Sequence, residues 1–254
     1  MTQINAFLRR IGLAPGANIE HTISFLGEVQ SRCVTTIPYE NLDILRGKPI
    51  SLEAQDVYDK IVTRGRGGYC FELNALLSNM LREMGFEVRD FFARYLRGEA
   101  EIPFRRHRIA AVFCEDSWYM MDIGVGQIAP RLPLKLAEGE IQQQGEERYR
   151  FERDAELGWI LYDWHDGDWR RYISFTEERQ YEVDFVPPSF WCEAHPASPF
   201  NKSPMIAIKT PGGRKTINDR EFKEFVGERV VRIEENITDE QLNELLREEF
   251  GIQL

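Results

Sequence analysis

The chain has 254 residues, enough for one compact body or for two to three small cooperating ones. Hydrophobic residues make up 43% and charged residues 29%, which favours a folded protein with a substantial core and excludes a disordered one. The formal net charge of −10 argues against a nucleic-acid partner, and it means that an anionic ligand would need a local basic pocket.

The N-terminal sequence and the cysteines indicate the compartment. Met1 is followed by TQINAFLRR, which lacks the basic and apolar regions of a signal peptide, and no apolar run approaches the roughly 18 residues that cross a bilayer. We therefore expect a cytoplasmic protein with no membrane partner. No two cysteines have C-x-x-C spacing, which predicts free thiols and no metal site. The four are Cys33, Cys70, Cys114 and Cys192.

Apolar periodicity predicts helices over residues 1–84. A first face contains Phe7, Leu8 and Ile11, a second run is IEHTISFLGEVQSRC, and a third helix extends over about 52–63. The strongest stripe repeats at helical spacing from Leu73 to Met84. It predicts a helix over 70–84, buried along one side and ended by the following glycine.

The pattern changes to short β-type runs from residue 86 to about 185. Asp166-Gly167 between two of these runs is the strongest hairpin signal in the chain. An antiparallel sheet or barrel is the expected result. The runs are FEVRDFFARYL, HRIAAVFC, SWYMMDIGV, RYRFERD, GWILYDW and DWRRYISF.

The C-terminal part begins with five prolines over 186–204, which predict an irregular connector. The runs MIAIKT and GGRKTI and a helix in TDEQLNELLREEF then predict a small α/β unit, with Thr238 as N-cap and Gln241 completing a capping box. We divide this α+β chain at 1–85, 86–190 and 191–254.

The segment from Arg64 to Asn74, RGRGGYCFELN, places Cys70 in the first turn of the buried helix. Three glycines before it allow a tight turn and a close approach to a ligand. The partial positive charge of a helix N-terminus stabilises a thiolate, which predicts a lowered pKa for Cys70 and N–H donors for an oxyanion. Cys70 is therefore a candidate nucleophile, the alternative being an inert buried thiol. Neither a P-loop nor G-x-G-x-x-G is present, so we reject a nucleotide loop.

A catalytic thiol needs a base, and His107 is the best placed of four histidines. His107 opens the strand HRIAAVF, and Asp122 closes the strand SWYMMD. If the turn between them is centred on Cys114 and Glu115, His107 and Asp122 face each other across the pair. A turn one residue away would make them diagonal neighbours. Alternatively, His107 is a structural histidine and Asp122 a turn former.

The motifs together resemble the arylamine N-acetyltransferase family over nearly the whole chain. The segments that carry the resemblance are FLRRIGL, IPYENLD, RGGYCFE, His107, MDIGVG, SPF and TPGG, in that order. The resemblance implies a helical bundle, a central antiparallel β-barrel and a C-terminal α/β lid, with a triad like that of papain-type proteases. It places the nucleophile on Cys70, the base on His107 and the orienting acid on Asp122.

The function implied is acetyl transfer from acetyl-CoA, as co-substrate, to arylamines, arylhydrazines or N-arylhydroxylamines through an acetyl-cysteine. A thiol hydrolase or amidase using the same triad, or a binding protein with a retired triad, is the alternative. Val125 stands where the family often has an aromatic residue, which predicts a wider acceptor cleft. The candidates for lining the acetyl-CoA and acceptor cleft are Arg66, Phe71, Val125, Gly126, Phe200 and Thr210.

Overall fold

The computed structural model describes residues 2–254. Its α-helices are α1 Gln3–Arg10, α2 Ile23–Thr36, α3 Leu42–Leu45, α4 Ala54–Tyr58, α5 Cys70–Glu83, α6 Val186–Ala194 and α7 Asp239–Phe250. A π-helical turn, Asp59–Thr63, continues α4, and 3₁₀ turns cover Gly126–Ile128, Glu182–Phe185 and Pro199–Asn201. The strands are β1 Tyr39–Glu40, β2 Glu87–Tyr95, β3 His107–Cys114, β4 Ser117–Met121, β5 Leu134–Lys135, β6 Gln142–Gln144, β7 Glu147–Asp154, β8 Gly158–His165, β9 Asp168–Phe175, β10 Met205–Thr210, β11 Gly213–Asn218, β12 Glu221–Val226 and β13 Arg229–Glu235.

Helix α5 is the centre of the N-terminal helical part. Its apolar stripe packs against α1, α2 and α4 in one core that contains Leu26, Leu76 and Leu77. Gly85 follows the helix with a φ of +90°, a conformation that glycine adopts without steric cost. The periodicity in the sequence therefore predicted both the helix and its end correctly.

Eight antiparallel strands form the second part, in the order β5-β4-β3-β2-β9-β8-β7-β6. The Asp166-Gly167 hairpin joins β8 to β9, with both residues at positive φ, as its sequence predicts. The side-chain amides of Gln142 and Gln144 bond the backbone of Lys135 and Leu132. These bonds bring the two edges of the sheet together and nearly close it into a barrel.

The C-terminal sheet has the order β1-β10-β11-β12-β13, so one strand comes from the N-terminal part of the chain. Helix α7 packs on this sheet through Leu245, Leu246 and Phe250. Thr238 and Gln241 form the predicted capping box, with Oε1 of Gln241 accepting from the Thr238 N–H at 2.8 Å. Strands β12 and β13 were not among the predicted runs.

The prediction of an irregular connector over 186–204 was wrong, because helix α6 occupies its first half. Pro187 and Pro188 lie in the first turn of this helix, where a backbone N–H has no intrahelical partner and its loss is harmless. The predicted boundary between the second and third parts, at residue 190, falls inside α6. The division of the chain into three parts stays a prediction. Within residues 2–254, none of the helices has the length and apolar character needed to cross a membrane.

Candidate active site

Cys70 is the first residue of α5 and is 4% exposed. The two glycines nearest to it, Gly67 and Gly68, approach the protein's own chain and not an open ligand space. A Cβ on Gly67 would lie 2.1 Å from the carbonyl oxygen of Pro38, and one on Gly68 would lie 3.0 Å from the Glu72 side chain. Glycine at these positions lets the loop pack tightly, which fixes where α5 begins.

A buried group of charges holds the loop before Cys70. Arg66 donates from Nε and Nη2 to Oε1 of Glu40, at 3.1 and 2.7 Å, and approaches Asp43 at 3.3 Å. Lys60 bridges Asp43 at 2.9 Å and Glu72 at 2.8 Å, and Glu72 in turn accepts from the Tyr69 N–H. The PYENLD and RGGYCFE segments thus supply every member of this network except Lys60, and Arg66 lies within it.

His107 and Asp122 are joined by a hydrogen bond of 2.6 Å between Nε2 and Oδ2. Of the two turn positions that the sequence left open, the structure has the second: Cys114 pairs with Ser117, and Ala110 pairs with Met121. The turn residues are Glu115 and Asp116, both at positive φ, as a two-residue hairpin turn with right-handed twist requires. His107 and Asp122 are therefore diagonal neighbours, and Asp122 lies just beyond the end of β4.

The Asp122 carboxylate is completely buried and held from two further directions. Its Oδ1 accepts from Nδ2 of Asn74 at 2.8 Å and from the Gly124 N–H at 2.8 Å. Asn74 also accepts from the Ile123 N–H at 3.0 Å. Sequence reasoning missed Asn74, although a polar residue four positions after Cys70 on a buried helix was the available signal.

A cavity of about 380 Å³ contains the predicted residues Cys70, His107, Val125, Gly126 and Phe200 in its lining. Most of the remaining wall is neutral, with contributions from β10 and β11. A Cβ on Gly124 would lie 2.8 Å from the Cα of Cys70, so the backbone after β4 passes directly against the start of α5. The cavity therefore brings residues from all three parts of the chain together.

Three predicted lining residues lie outside that cavity wall. The guanidinium of Arg66 is engaged in the buried charge group, and the Phe71 ring is fully buried beside Phe185 and Tyr69. Phe71 nevertheless follows Cys70 directly, and its backbone N–H acts to lower the pKa of the Cys70 thiol. Thr210 precedes the turn between β10 and β11, and its carbonyl accepts from Arg131 at 2.8 Å.

The electrostatics of Cys70 differ from the expectation of a lowered pKa. Burial raises the pKa of the Cys70 thiol well above its usual range, and Cys192 and Asp122 act in the same direction. The Phe71 N–H opposes them. Helix position alone therefore does not ionise this thiol, and a thiolate here depends on a neighbouring base that can take its proton.

A second cavity, of about 1110 Å³, shares Tyr95, Val125 and Gln127 with the first. Six cationic and five acidic side chains line it, in a chain whose net charge is −10. Lys209 is the most buried cation there and donates to Glu147 at 2.6 Å. Arg131 contacts the same carboxylate at 3.4 Å, so two cations share one anion and leave an excess of positive charge.

Comparisons with known proteins identify the class to which this fold and site belong. The family model described as N-acetyltransferase matches residues 22–254. An arylamine N-acetyltransferase of Escherichia coli is 30% identical over 252 residues, which cover 98% of this chain and 88% of the relative. The chain belongs to the arylamine N-acetyltransferase family.

Solved structures agree with this assignment. An arylamine N-acetyltransferase from Salmonella typhimurium superposes with a TM-score of 0.94 at 30% identity, covering 99% of this chain and 92% of that one. A Mycobacterium marinum arylamine N-acetyltransferase solved in complex with CoA gives 0.91 at 29% identity, covering 98% and 92%. The likeness confirms the mixed fold of N-terminal helices, nearly closed barrel and C-terminal sheet.

Proposed function

We propose that the protein transfers acetyl groups from acetyl-CoA to arylamines or arylhydrazines through an acetyl-Cys70 intermediate. In this proposal His107 is the base and Asp122 the residue that orients it. The observation that supports it most directly is that Cys70 and His107 line one cavity while His107 is bonded to a fully buried carboxylate. A bond to Nε2 leaves Nδ1 of His107 to serve the thiol.

In the first half reaction, His107 takes the proton of Cys70 and the sulfur attacks the acetyl carbonyl of acetyl-CoA. The new bond is between the Cys70 sulfur and the acetyl carbon, and the bond that breaks joins that carbon to the CoA sulfur. The proton on His107 then passes to the CoA thiolate as it leaves. The Phe71 N–H, in the first turn of α5 next to Cys70, is the candidate donor to the oxyanion.

In the second half reaction, the amine nitrogen attacks the acetyl carbon and the bond to the Cys70 sulfur breaks. His107 removes a proton from the amine and returns it to the Cys70 thiolate, which restores the starting state. Aromatic amines and hydrazines are largely uncharged at neutral pH, so their lone pairs are available. Alkylamines are largely protonated, and this difference favours aryl acceptors.

The two cavities suggest how the co-substrate lies. The larger one has the excess of positive charge that an anionic ligand needs in a protein with a net charge of −10. We place the phosphate-bearing arm of acetyl-CoA there, beside Lys209, Arg131 and Arg214, with the thioester reaching Cys70 through the shared wall. A solved relative in complex with CoA supports acetyl-CoA as the donor.

The experiment that tests the proposal is intact-mass measurement after mixing the protein with acetyl-CoA alone. We expect one added acetyl group in the wild type and none in Cys70→Ser. Cys192→Ser is the matched control, because Cys192 is also buried and belongs to the same core cluster. An adduct that persists in Cys70→Ser, or that disappears in Cys192→Ser alone, would remove Cys70 as the carrier.

A further inference from the structure

Arg106 is a lining residue of the cavity that contains Cys70 and His107. Among residues 2–254, it is the one member of that lining whose side chain carries a permanent charge. It is absent from the lining of the larger cavity. The smaller cavity therefore has a fixed cation of its own, separate from the cations of the larger one.

The position of the guanidinium follows from its partners. Nη2 of Arg106 donates to Oε1 of Glu99 at 3.0 Å, and the Arg106 side chain is 19% exposed. Burial raises the pKa of Tyr95, and it raises the pKa of Cys192 to about 12. The positive charge of Arg106 acts to lower both pKa values. Tyr95 lies on the cavity wall and Cys192 lies in the core cluster with Cys70, so the guanidinium is near both.

The pair with Glu99 leaves Arg106 able to bind something else. Glu99 is 38% exposed and lies in the loop between β2 and β3. An ion pair with such exposure contributes little net stability, because water competes for both groups. Arg106 has five N–H donors, and a second carboxylate can therefore share it with Glu99 or replace Glu99 at small cost.

We propose that Arg106 binds an acidic group on the acceptor, so that the preferred acceptors are arylamines carrying a ring carboxylate. This inference rests on the proposed function. The rest of the wall, including Val125, Phe200 and Ile217, offers apolar surface to the ring. The net charge of −10 would otherwise disfavour an anionic acceptor, and Arg106 supplies the local attraction that admits it.

The acceptor is a better match for Arg106 than the phosphates of acetyl-CoA. The cations proposed to hold those phosphates are Lys209, Arg131 and Arg214. They line the larger cavity, which meets the smaller one at Tyr95, Val125 and Gln127. Arg106 lies beside His107 in the chain, within the compartment where the amine must approach Cys70. A carboxylate at Arg106 would thus orient the ring with its amine toward the acetyl group.

The test compares kcat/KM for 4-aminobenzoate with kcat/KM for 4-aminobenzamide, which has the same shape without the charge. Arg106→Gln should lower the ratio of the two by about tenfold, the effect of one lost charge-assisted hydrogen bond. Arg106→Lys should keep part of the preference, and Glu99→Gln should raise it. Arg105→Gln is the matched control, since Arg105 pairs with Glu178 at 3.3 Å and lines neither cavity.

A fall confined to the carboxylated acceptor in Arg106→Gln, with the Arg105→Gln ratio unchanged, supports the inference. Equal losses for both acceptors, or a Glu99→Gln variant with no gain, would overturn it. Acetylation of Cys70 by acetyl-CoA, measured on each variant, shows that the protein is folded and that the thiol reacts. Failure of the wild type to acetylate either amine would instead overturn the proposed function.

Discussion

Asn74 donates a hydrogen bond of 2.8 Å from Nδ2 to Oδ1 of Asp122, one helical turn after Cys70. This bond ties the carboxylate that holds His107 to the helix that presents the thiol. We expect Asn74→Ala to slow Cys70 acetylation by about 10- to 100-fold, because small misplacements of reacting groups are costly. Stopped-flow acetylation with acetyl-CoA measures this step. Asn79→Ala, farther along α5, is the control, and an acetylation rate as fast as the wild type in Asn74→Ala would refute the positioning role.

Arg66 lies in the buried charge group, and its replacement should act on stability. Arg66→Gln leaves the Glu40 carboxylate, which is 1% exposed, without its main partner. Breaking a buried pair from one side costs about 3–5 kcal/mol in the free energy of unfolding. Urea denaturation should show that loss, while the KM for acetyl-CoA of the folded protein stays near the wild-type value. A changed KM with an unchanged unfolding midpoint would instead return Arg66 to the binding site.

Val125 lies in the wall shared by both cavities. Val125→Phe should narrow the acceptor side and change the ranking of bulky against slim arylamines by about 1–3 kcal/mol in transition-state discrimination. Acetylation of Cys70 should change far less, because the pantetheine chain is thin. Steady-state specificity for a series of amines, beside stopped-flow acetylation, separates the two effects. The exposed Val183 gives a control, Val183→Phe. An unchanged ranking would exclude Val125 from the acceptor pocket.

We expect Lys209 to give the KM for acetyl-CoA its own pH dependence. Burial lowers the pKa of Lys209 to about 8 from an ordinary value of 10.5, against the opposing effect of Glu147. Lys209 is therefore charged below about pH 8 and loses its charge as pH rises through that value. If Lys209 binds a phosphate, the KM for acetyl-CoA should rise above pH 8. Bound CoA should raise the pKa of Lys209, because a nearby negative charge favours the charged amine.

The control for Lys209 is acetyl-pantetheine, which presents the same thioester without the phosphates. Its KM should lack the rise attributed to Lys209, and Lys209→Gln should raise the KM for acetyl-CoA alone, by about tenfold. Comparing the two donors cancels any pH dependence of the acyl transfer itself, which affects both. An equal change in KM for both donors would place the phosphates away from Lys209.

Local signals in the sequence predicted the elements that depend on neighbouring residues. The apolar stripe of α5, the Asp166-Gly167 hairpin and the Thr238 cap are each set within a few positions of the chain. The pairing of Tyr39 with Ala207 depends on contacts between distant segments and left no periodic signal. The same reason applies to the closing contacts of Gln142 and Gln144.

The candidate site was predictable in its residue types and less so in its geometry. Cys70 and His107 were found because their chemistry is scarce in the chain. The turn position stayed open between two registers because Glu115 and Asp116 lack the glycine that usually marks positive φ. Asn74 was missed because an amide on a buried stripe gives no sign of its partner. Arg66 lies away from the cavity wall because Glu40 and Asp43, distant in sequence, hold it.

The central claim, acetyl transfer through Cys70, is tested most directly by isolating the acetylated protein and following its mass in two solutions. One contains buffer alone and the other an arylamine such as 4-aminobenzamide. We expect the acetyl group to persist in buffer and to disappear on adding the amine, with an equal amount of N-acetylated amine formed. Loss of the acetyl group at the same rate in both solutions, with acetate as the product, would contradict it and indicate a thiol hydrolase.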